Sequence, residues 1–228
     1  MPDPPAGWRT VIVGARADGS AKVLLDIIRC EGRHQVVGFL DDDEARHGAV
    51  LEGLPVMGGS ERFPRLRDDG IRGVAFALGS NRARHALLDR ARQAGLEPVT
   101  AIHPRAIVAA DVRIGAGVWM AAGAIVNPGS TIGDGAVVNT GATIDHDCAI
   151  GDYANISPGC HLSGRTRVGR YAFLGTGVVT LPDAEIGDDA VVGAGAVVLK
   201  TVDRGCTVVG VPARLVRRAT ETGRGDRE

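Results

Sequence analysis

The sequence predicts two architectures in series, a small parallel α/β domain and then a parallel β-helix, and three observations carry that prediction. Apolar runs alternate with helix-like segments over the first hundred of the 228 residues. A six-residue apolar period occupies most of the remainder. The composition, with 33 glycines and only 4% aromatic residues, suits a narrow interior with frequent tight corners. At 44% hydrophobic residues the chain can bury a core of its own.

Within residues 1–101, "TVIVGA" reads as a buried strand and "SAKVLLDIIRCEG" as an amphipathic helix ended by Gly32. "QVVGFLDDD" and "GVAFALGSN" read as two further strands, and "NRARHALLDRARQAG" as a helix ending at Gly95. Strands alternating with helices make a small Rossmann-like α/β domain with a parallel sheet. Ligands of such sheets sit at the carboxyl ends of the strands, here Gly14 to Ser20, Asp41 to Asp43 and Gly79 to Asn81. The first loop, "GARADGSAK", has small residues that admit a diphosphate to the backbone, and a helix amino terminus follows it. Gly79 would let a substrate approach the backbone, while Ser80 and Asn81 are candidate caps for the next helix.

Residues 102–216 obey another rule. Every sixth residue from Ile102 to Val198 is apolar except Thr180, and four places later stands a small residue or valine, as at Ala106, Ala124, Ser130, Ala136, Cys148 and Cys160. This hexapeptide period predicts a β-helix in which each repeat gives one short strand and a turn. Ile-Gly or Val-Gly pairs recur every 18 residues, from Ile114-Gly115 to Ile186-Gly187, so three repeats make one coil. Residues 18 apart should stack at roughly 4.8 Å. The hand of the coil does not follow from the period. Residues 217–228 form a polar tail.

Twenty-six basic against 27 acidic residues give no global electrostatic case for nucleic acid or an anionic membrane as partner. The amino terminus lacks the pattern of a secretion signal, and no apolar run reaches the roughly 18 residues of a membrane span. Cys30, Cys148, Cys160 and Cys206 show neither metal-type spacing nor a compact disulfide framework, as expected of reduced thiols in a cytoplasmic protein.

One segment departs from the repeat's apolar punctuation: Asp145-His146-Asp147. His146 falls near a corner, with Pro128 and Gly164 as its expected vertical neighbours, so it faces outward or into a cleft and does not fill the core. It is either a solvated corner or a proton acceptor. The remaining histidines give less. His34, His47 and His85 are isolated surface candidates, His103 lies at the junction, and His161 is expected at a corner lining a cleft. A metal site would need three converging histidines, and His103, His146 and His161 occupy different places on the coil, so no metal is expected.

The Gly-rich first loop, "FLDDD", "GLPVMGG", "ALGSN", "DHDC", "ISPG" and "VGVPAR" together resemble the bacterial sugar acetyltransferases of the left-handed β-helix class. The resemblance spans about residues 10–216. It is nearest to the sialic-acid O-acetyltransferase-like proteins and to the N-acetyltransferases of nucleotide-linked 4-amino-4,6-dideoxy sugars, and it implies a left-handed coil with acetyl-coenzyme A as co-substrate. His146 is then the general base toward the sugar amine, Asp147 the carboxylate that raises its basicity, and Asn139 a residue near the amine. Gly14, Asp18, Gly19, Ser20 and Gly79 would receive the nucleotide sugar, and Asp41 and Asp42 would grip its base or ribose. Gly164, Gly175, Thr176 and Gly193 would present backbone to the coenzyme, with Lys200 near its phosphates. The family also implies a homotrimer with active sites between subunits, acting in surface polysaccharide or glycoprotein synthesis.

The chain departs from the family's pattern twice. Asn155 stands where many relatives have a histidine that contacts acetyl-coenzyme A, and the first loop is longer, with Ser20 in place of a histidine. Cys148 falls in the buried small-residue column, so attack on the thioester is expected to be direct. Alternatives are O-acetylation of a sialic-acid-like sugar and, from another class, a non-catalytic sugar-nucleotide-binding scaffold.

Overall fold

The computed structural model of the chain describes residues 7–16 and 19–218; Asp18 and the last ten residues lie outside that description. In the α/β part, strand β1 (Arg9–Val13) leads to helix α1 (Ala21–Glu31), then β2 (Gln35–Leu40). A hairpin of β3 (Val50–Leu51) and β4 (Leu54–Pro55), not foreseen from the pattern, precedes the short helix α2 (Phe63–Leu66). Strand β5 (Gly73–Phe76), helix α3 (Asn81–Gln93) and β6 (Glu97–Pro98) complete it. The sheet order is β2-β1-β5-β6, all parallel.

Register sets where a ligand can lie. Val13 stands opposite both Leu40 and Phe76, so β1, β2 and β5 end level, and the loops starting at Gly14, Asp41 and Ala77 open on one edge. Helix α1 buries Ala21, Leu24, Leu25, Ile27 and Ile28, and stops at Gly32, whose φ of 73° lets its amide donate to the Ile28 carbonyl. Helix α3 is capped by Ser80, whose hydroxyl accepts from the Ala83 amide at 3.2 Å. Asn81 does not cap; it belongs to the helix.

From Ala101 onward two-residue strands recur every six residues in three parallel sheets, one eight-stranded through a final antiparallel strand and two six-stranded. The first face runs from Ala101–Ile102 through Trp119–Met120, Val137–Val138, Asn155–Ile156 and Phe173–Leu174; the second starts at Ile107–Val108, the third at Arg113–Ile114. Partners are 18 apart, as in Trp119 with Val137 and Thr143 with His161. The last coil is two residues shorter, pairing Glu185 with Thr201. The second residue of each strand points inward, so Met120, Val138, Ile144, Ile156 and Leu174 are buried. Thr180 takes the same inward place without an apolar side chain. Its hydroxyl accepts from the Ser163 amide at 3.0 Å and meets Thr166 Oγ1 at 2.8 Å, so the break in the apolar column is a satisfied hydrogen-bond node.

The α/β domain covers the first coils of the first face and the corner between the third and first faces, leaving Phe173 further along that face exposed. Helix α1 and the sheet bury Ala101, Trp119 and Val137, and α3 lies against Tyr153 and Tyr171. His85 is therefore not an isolated surface residue. Its ring centroid lies 4.3 Å from that of Tyr153, its Nδ1 bonds to the Tyr171 hydroxyl at 2.7 Å, and its Nε2 pairs with Asp89 at 2.9 Å.

Candidate active site at a corner of the prism

From residue 117 to residue 195 each corner of the coil passes through one residue in the left-handed region. From residue 117 to residue 141 that residue is always glycine; at the next step it is Asp147, with φ of 58°. Aspartate tolerates this conformation better than most residues. The turn sits between the second-face strand Thr143–Ile144 and the third-face strand Ala149–Ile150.

The backbone of His146 is held on three sides. Its amide donates to Asp145 Oδ1 at 2.8 Å, its carbonyl accepts from the Arg165 amide at 2.9 Å, and the next amide, Asp147, donates to the Pro128 carbonyl at 2.9 Å. Asp145 is fixed in turn by the Asn127 side chain at 3.0 Å. The His146 amide and then Asn127 hold the Asp145 carboxyl below the usual carboxylate range, so it stays anionic. The His146 ring projects outward, with Nδ1 2.8 Å from Asp147 Oδ2 and the side chain half exposed. A carboxylate can only accept, so Nδ1 carries the proton and Nε2 keeps its lone pair. This arrangement suits a general base oriented by an adjacent carboxylate.

Glycines make room for the pair. A Cβ on Gly164, one coil on, would lie 2.6 Å from His146 Nε2, and one on Gly129, one coil back, would collide with Asp147 Oδ1. Gly164, expected to present backbone to a coenzyme, is thus the floor under the imidazole. Cys148 is buried, its thiol pushed up by that burial and directed at the Ser163 carbonyl (3.4 Å) and that of His146 (3.7 Å); this is packing, not a nucleophile's environment. Beside the corner, Asn127, Thr143, Asp145, His161, Leu162 and Ser163 line a cleft of ≈ 290 Å³. His161 reaches it from the flat second face, bonded to Thr143 Oγ1 at 2.9 Å, and not from a corner.

The other candidates fall into two groups. Lys200 lies further along the same second-to-third corner as His146 and Gly164. Asn139, Gly175, Thr176 and Gly193 lie on the first-to-second corner, and Asn155 faces outward on the first face. The Asn155 Oδ1 is buried without a hydrogen-bond partner, an acceptor open to a donor from a ligand or another chain. Gly175 and Gly193 also have a packing reason: a Cβ would come within 2.6 Å of the Ala194 amide and 2.7 Å of Val209, respectively.

In the α/β domain the edge shared by β1, β2 and β5 holds Gly14, Gly19, Ser20, Asp41, Asp42 and Gly79. Asp41 differs from the expectation that it grips a base or ribose. Its Oδ2 accepts from the Ala15 amide at 2.7 Å, and its Oδ1 from the Asp43 amide and Arg46 at 3.0 and 2.9 Å. Burial raises this carboxyl, but those donors outweigh it and hold the group below its ordinary value. Asp41 therefore ties the first loop to the second. Asp42 Oδ1 accepts from the Ser60 amide at 2.6 Å. Gly14, with φ of 99°, is required by the close pass of Ala77 O, whereas a Cβ on Gly79 would meet nothing within 4 Å, which leaves that backbone open to a ligand.

Among the described residues one group brings metal-ligand types within 4.8 Å of one another: Asp26, Cys30 and His103, at the junction of α1 and the first coil. His103 Nδ1 accepts the Arg105 amide at 3.0 Å. The neutral ring therefore has its proton on Nε2, the nitrogen 4.0 Å from Asp26, and presents a donor there instead of a ligand lone pair. No helix of the described residues is long and apolar enough to cross a membrane.

Sequence comparison matches residues 9–91 to the PglD N-terminal domain and residues 129–164 and 165–200 to the bacterial transferase hexapeptide repeat. Among solved structures, PerB from Caulobacter crescentus in complex with CoA and GDP-perosamine is 40% identical, with TM-score 0.85 over 91% of this chain and 96% of that one. The acetyltransferase domain of PglB from Neisseria gonorrhoeae FA1090, in complex with acetyl coenzyme A, is 34% identical, with TM-score 0.83 over 92% of this chain and 100% of that one. WeeI from Acinetobacter baumannii AYE is 27% identical, with TM-score 0.80 over 91% and 99%. No curated protein sequence matches the chain.

Proposed function

The chain belongs to the left-handed β-helix acetyltransferases of nucleotide-linked amino sugars that carry a PglD N-terminal domain, and from that premise we propose that it moves the acetyl group of acetyl-coenzyme A onto the amine of a nucleotide-activated 4-amino-4,6-dideoxy sugar. The observation that carries this reading is the His146–Asp147 pair, 2.8 Å apart and standing outside the core. The free amine attacks the thioester carbonyl directly. His146 Nε2 takes the proton that the nitrogen sheds, Asp147 steadies the resulting imidazolium, and the thiolate of coenzyme A leaves and is protonated. A positioned base of this kind is worth about 10² to 10⁴ in rate.

The active form is a homotrimer whose sites are shared by neighbouring subunits. Topology supports this. The α/β domain sits on the first face, whereas His146 stands on the corner opposite that face, so the domain that carries the nucleotide-sugar loops and the base of one chain lie on different sides of its prism. Two prisms side by side would bring the corner bearing His146, Gly164 and Lys200 against a neighbour's Asn139, Asn155, Gly175, Thr176 and Gly193. Such an enzyme would serve surface polysaccharide or glycoprotein synthesis in the cytoplasm.

The deciding experiment is mass spectrometry of UDP-, GDP- and dTDP-linked amino sugars incubated with the protein and acetyl-coenzyme A. One acetyl group gained by one member is the expected result, with His146→Ala lowering the rate about 10²-fold or more. Modification of free sialic acids alone, or of nothing in the panel, would overturn the N-acetyltransferase reading.

A further inference from the structure

Helix α3 buries a stripe of Asn81, Arg84, Leu88 and Ala91, and the second member is a full cation. Arg84 has no exposed surface at all. Its acceptors are uncharged: Nε donates to the Gly135 carbonyl at 2.8 Å, one terminal nitrogen to the Leu78 carbonyl at 2.9 Å, and the other to the Tyr153 carbonyl at 2.8 Å and Asn81 Oδ1 at 3.0 Å. Four of its five N–H groups are thereby used. Burial without a carboxylate pushes the guanidinium down to about 10.

A buried charge balanced only by dipoles is a costly way to fill a stripe that leucine or methionine would fill well. What it provides is geometry. Leu78 lies between the end of β5 and Gly79, in the loop at the nucleotide-sugar edge. Gly135 and Tyr153 are successive corner residues of the prism, one coil apart. A rigid planar fork thus fixes one loop of the α/β domain against two coils at once. Asn81, gripped by the same fork, donates through Nδ2 to the carbonyls of Tyr171 (2.9 Å) and Ala172 (3.2 Å) and extends the clamp to a third coil.

We infer that Arg84 is a positioning residue for acetyl transfer: with Asn81, it registers the Leu78–Asn81 loop, and so the bound nucleotide sugar, on the prism that sets the subunit packing. This rests on the function proposed above, in which the nucleotide-sugar loops of one chain meet His146 of a neighbour, so that the register of the α/β domain on its own prism sets how the two meet. A misplacement of about 1 Å at such a site costs on the order of 10²-fold.

The test uses the full chain with Arg84→Lys, which keeps the charge but not the fork, and Arg84→Met, which keeps the volume alone; Asn81→Ala replaces the latter if it does not fold. For each, kcat, the Kd for UDP, GDP and dTDP and for CoA, and amide hydrogen exchange of residues 77–81 are measured below the melting transition. The expected result is a kcat loss of about tenfold or more, with nucleotide and CoA affinities within about threefold of wild type and faster exchange in the loop. A merely structural role would lower the melting temperature and leave kcat intact; folded variants with kcat within about twofold of wild type and unchanged loop exchange would overturn the inference. Absence of turnover by the wild type would instead count against the proposed function, and loop exchange would still decide the role of Arg84: unchanged exchange refutes it.

Discussion

Gly164 belongs to the site as much as His146 does, although it contributes no functional group. The imidazole lies over its Cα in the space a side chain would fill. Replacing Gly164 with alanine should therefore displace an exposed ring and leave the core unstrained, because its φ is not in the left-handed region. The ring would leave Asp147, and a shift of about 1 Å in a base costs on the order of 10²-fold in kcat. Kinetics and thermal melting of Gly164→Ala check this: the expected pattern is a large fall in kcat with a nearly unchanged melting temperature, and equal kcat would show that the ring has no fixed seat. The sequence placed His146 at an outward corner and Gly164 next to it in the stack. What it could not supply was the side-chain direction that makes the pair interdependent. Asp41 teaches the converse. Its acidic loop read as ligand-gripping, but whether a carboxylate is free depends on which amides fold back onto it, here those of Ala15 and Asp43.

At the scale of the element, the unit is the hexapeptide corner, and from residue 117 to residue 195 each corner takes a left-handed residue. Glycine satisfies this without strain at residues 117 to 141; Asp147 is the first of six non-glycine residues in that place, before Tyr153, Arg165, Tyr171, Asp183 and Asp189. A non-glycine residue there costs up to about 1–2 kcal/mol, offset in part by the smaller loss of backbone freedom on folding relative to glycine. Asp147→Gly should consequently leave stability unchanged or raise it by up to about 1 kcal/mol while lowering activity, since His146 loses the carboxylate that orients it. Urea unfolding beside steady-state kinetics tests the claim; a marked loss of stability would mean that the turn, and not the chemistry, retains the aspartate. Thr180 makes the same point from inside. The period flagged it as the sole defect, and the structure shows a hydroxyl exchanging bonds with Ser163 and Thr166. A period identifies which position is exceptional, but the partner that makes it tolerable sits 14 to 17 residues away.

At the scale of the whole molecule, the decisive fact is that the α/β domain and the candidate base occupy opposite sides of one prism. If each active site takes its base from one subunit and its nucleotide-sugar loops from the next, two differently crippled chains should complement each other. His146→Ala mixed with Gly79→Glu, which sets a charge in the open loop, and reassembled together should regain up to about a quarter of the wild-type sites, although neither variant is active alone. Sedimentation of the mixture establishes the oligomer, and an inactive mixed trimer would place each site within a single chain.

The period, the corner histidine with its flanking aspartates and the three loop-bearing strands were determined by the sequence itself, because they depend on local spacing: strands alternate every two residues and coils repeat every 18. Four things required the tertiary structure. These were the use of Asp41 as a strut, the seat of His146 over Gly164, the packing of His85 against two tyrosines, and Arg84 as the rivet between domains. The physical reason is common to all four. Each depends on groups brought together from distant parts of the chain, and a cation in a helix reads as solvated until the carbonyls that surround it are known.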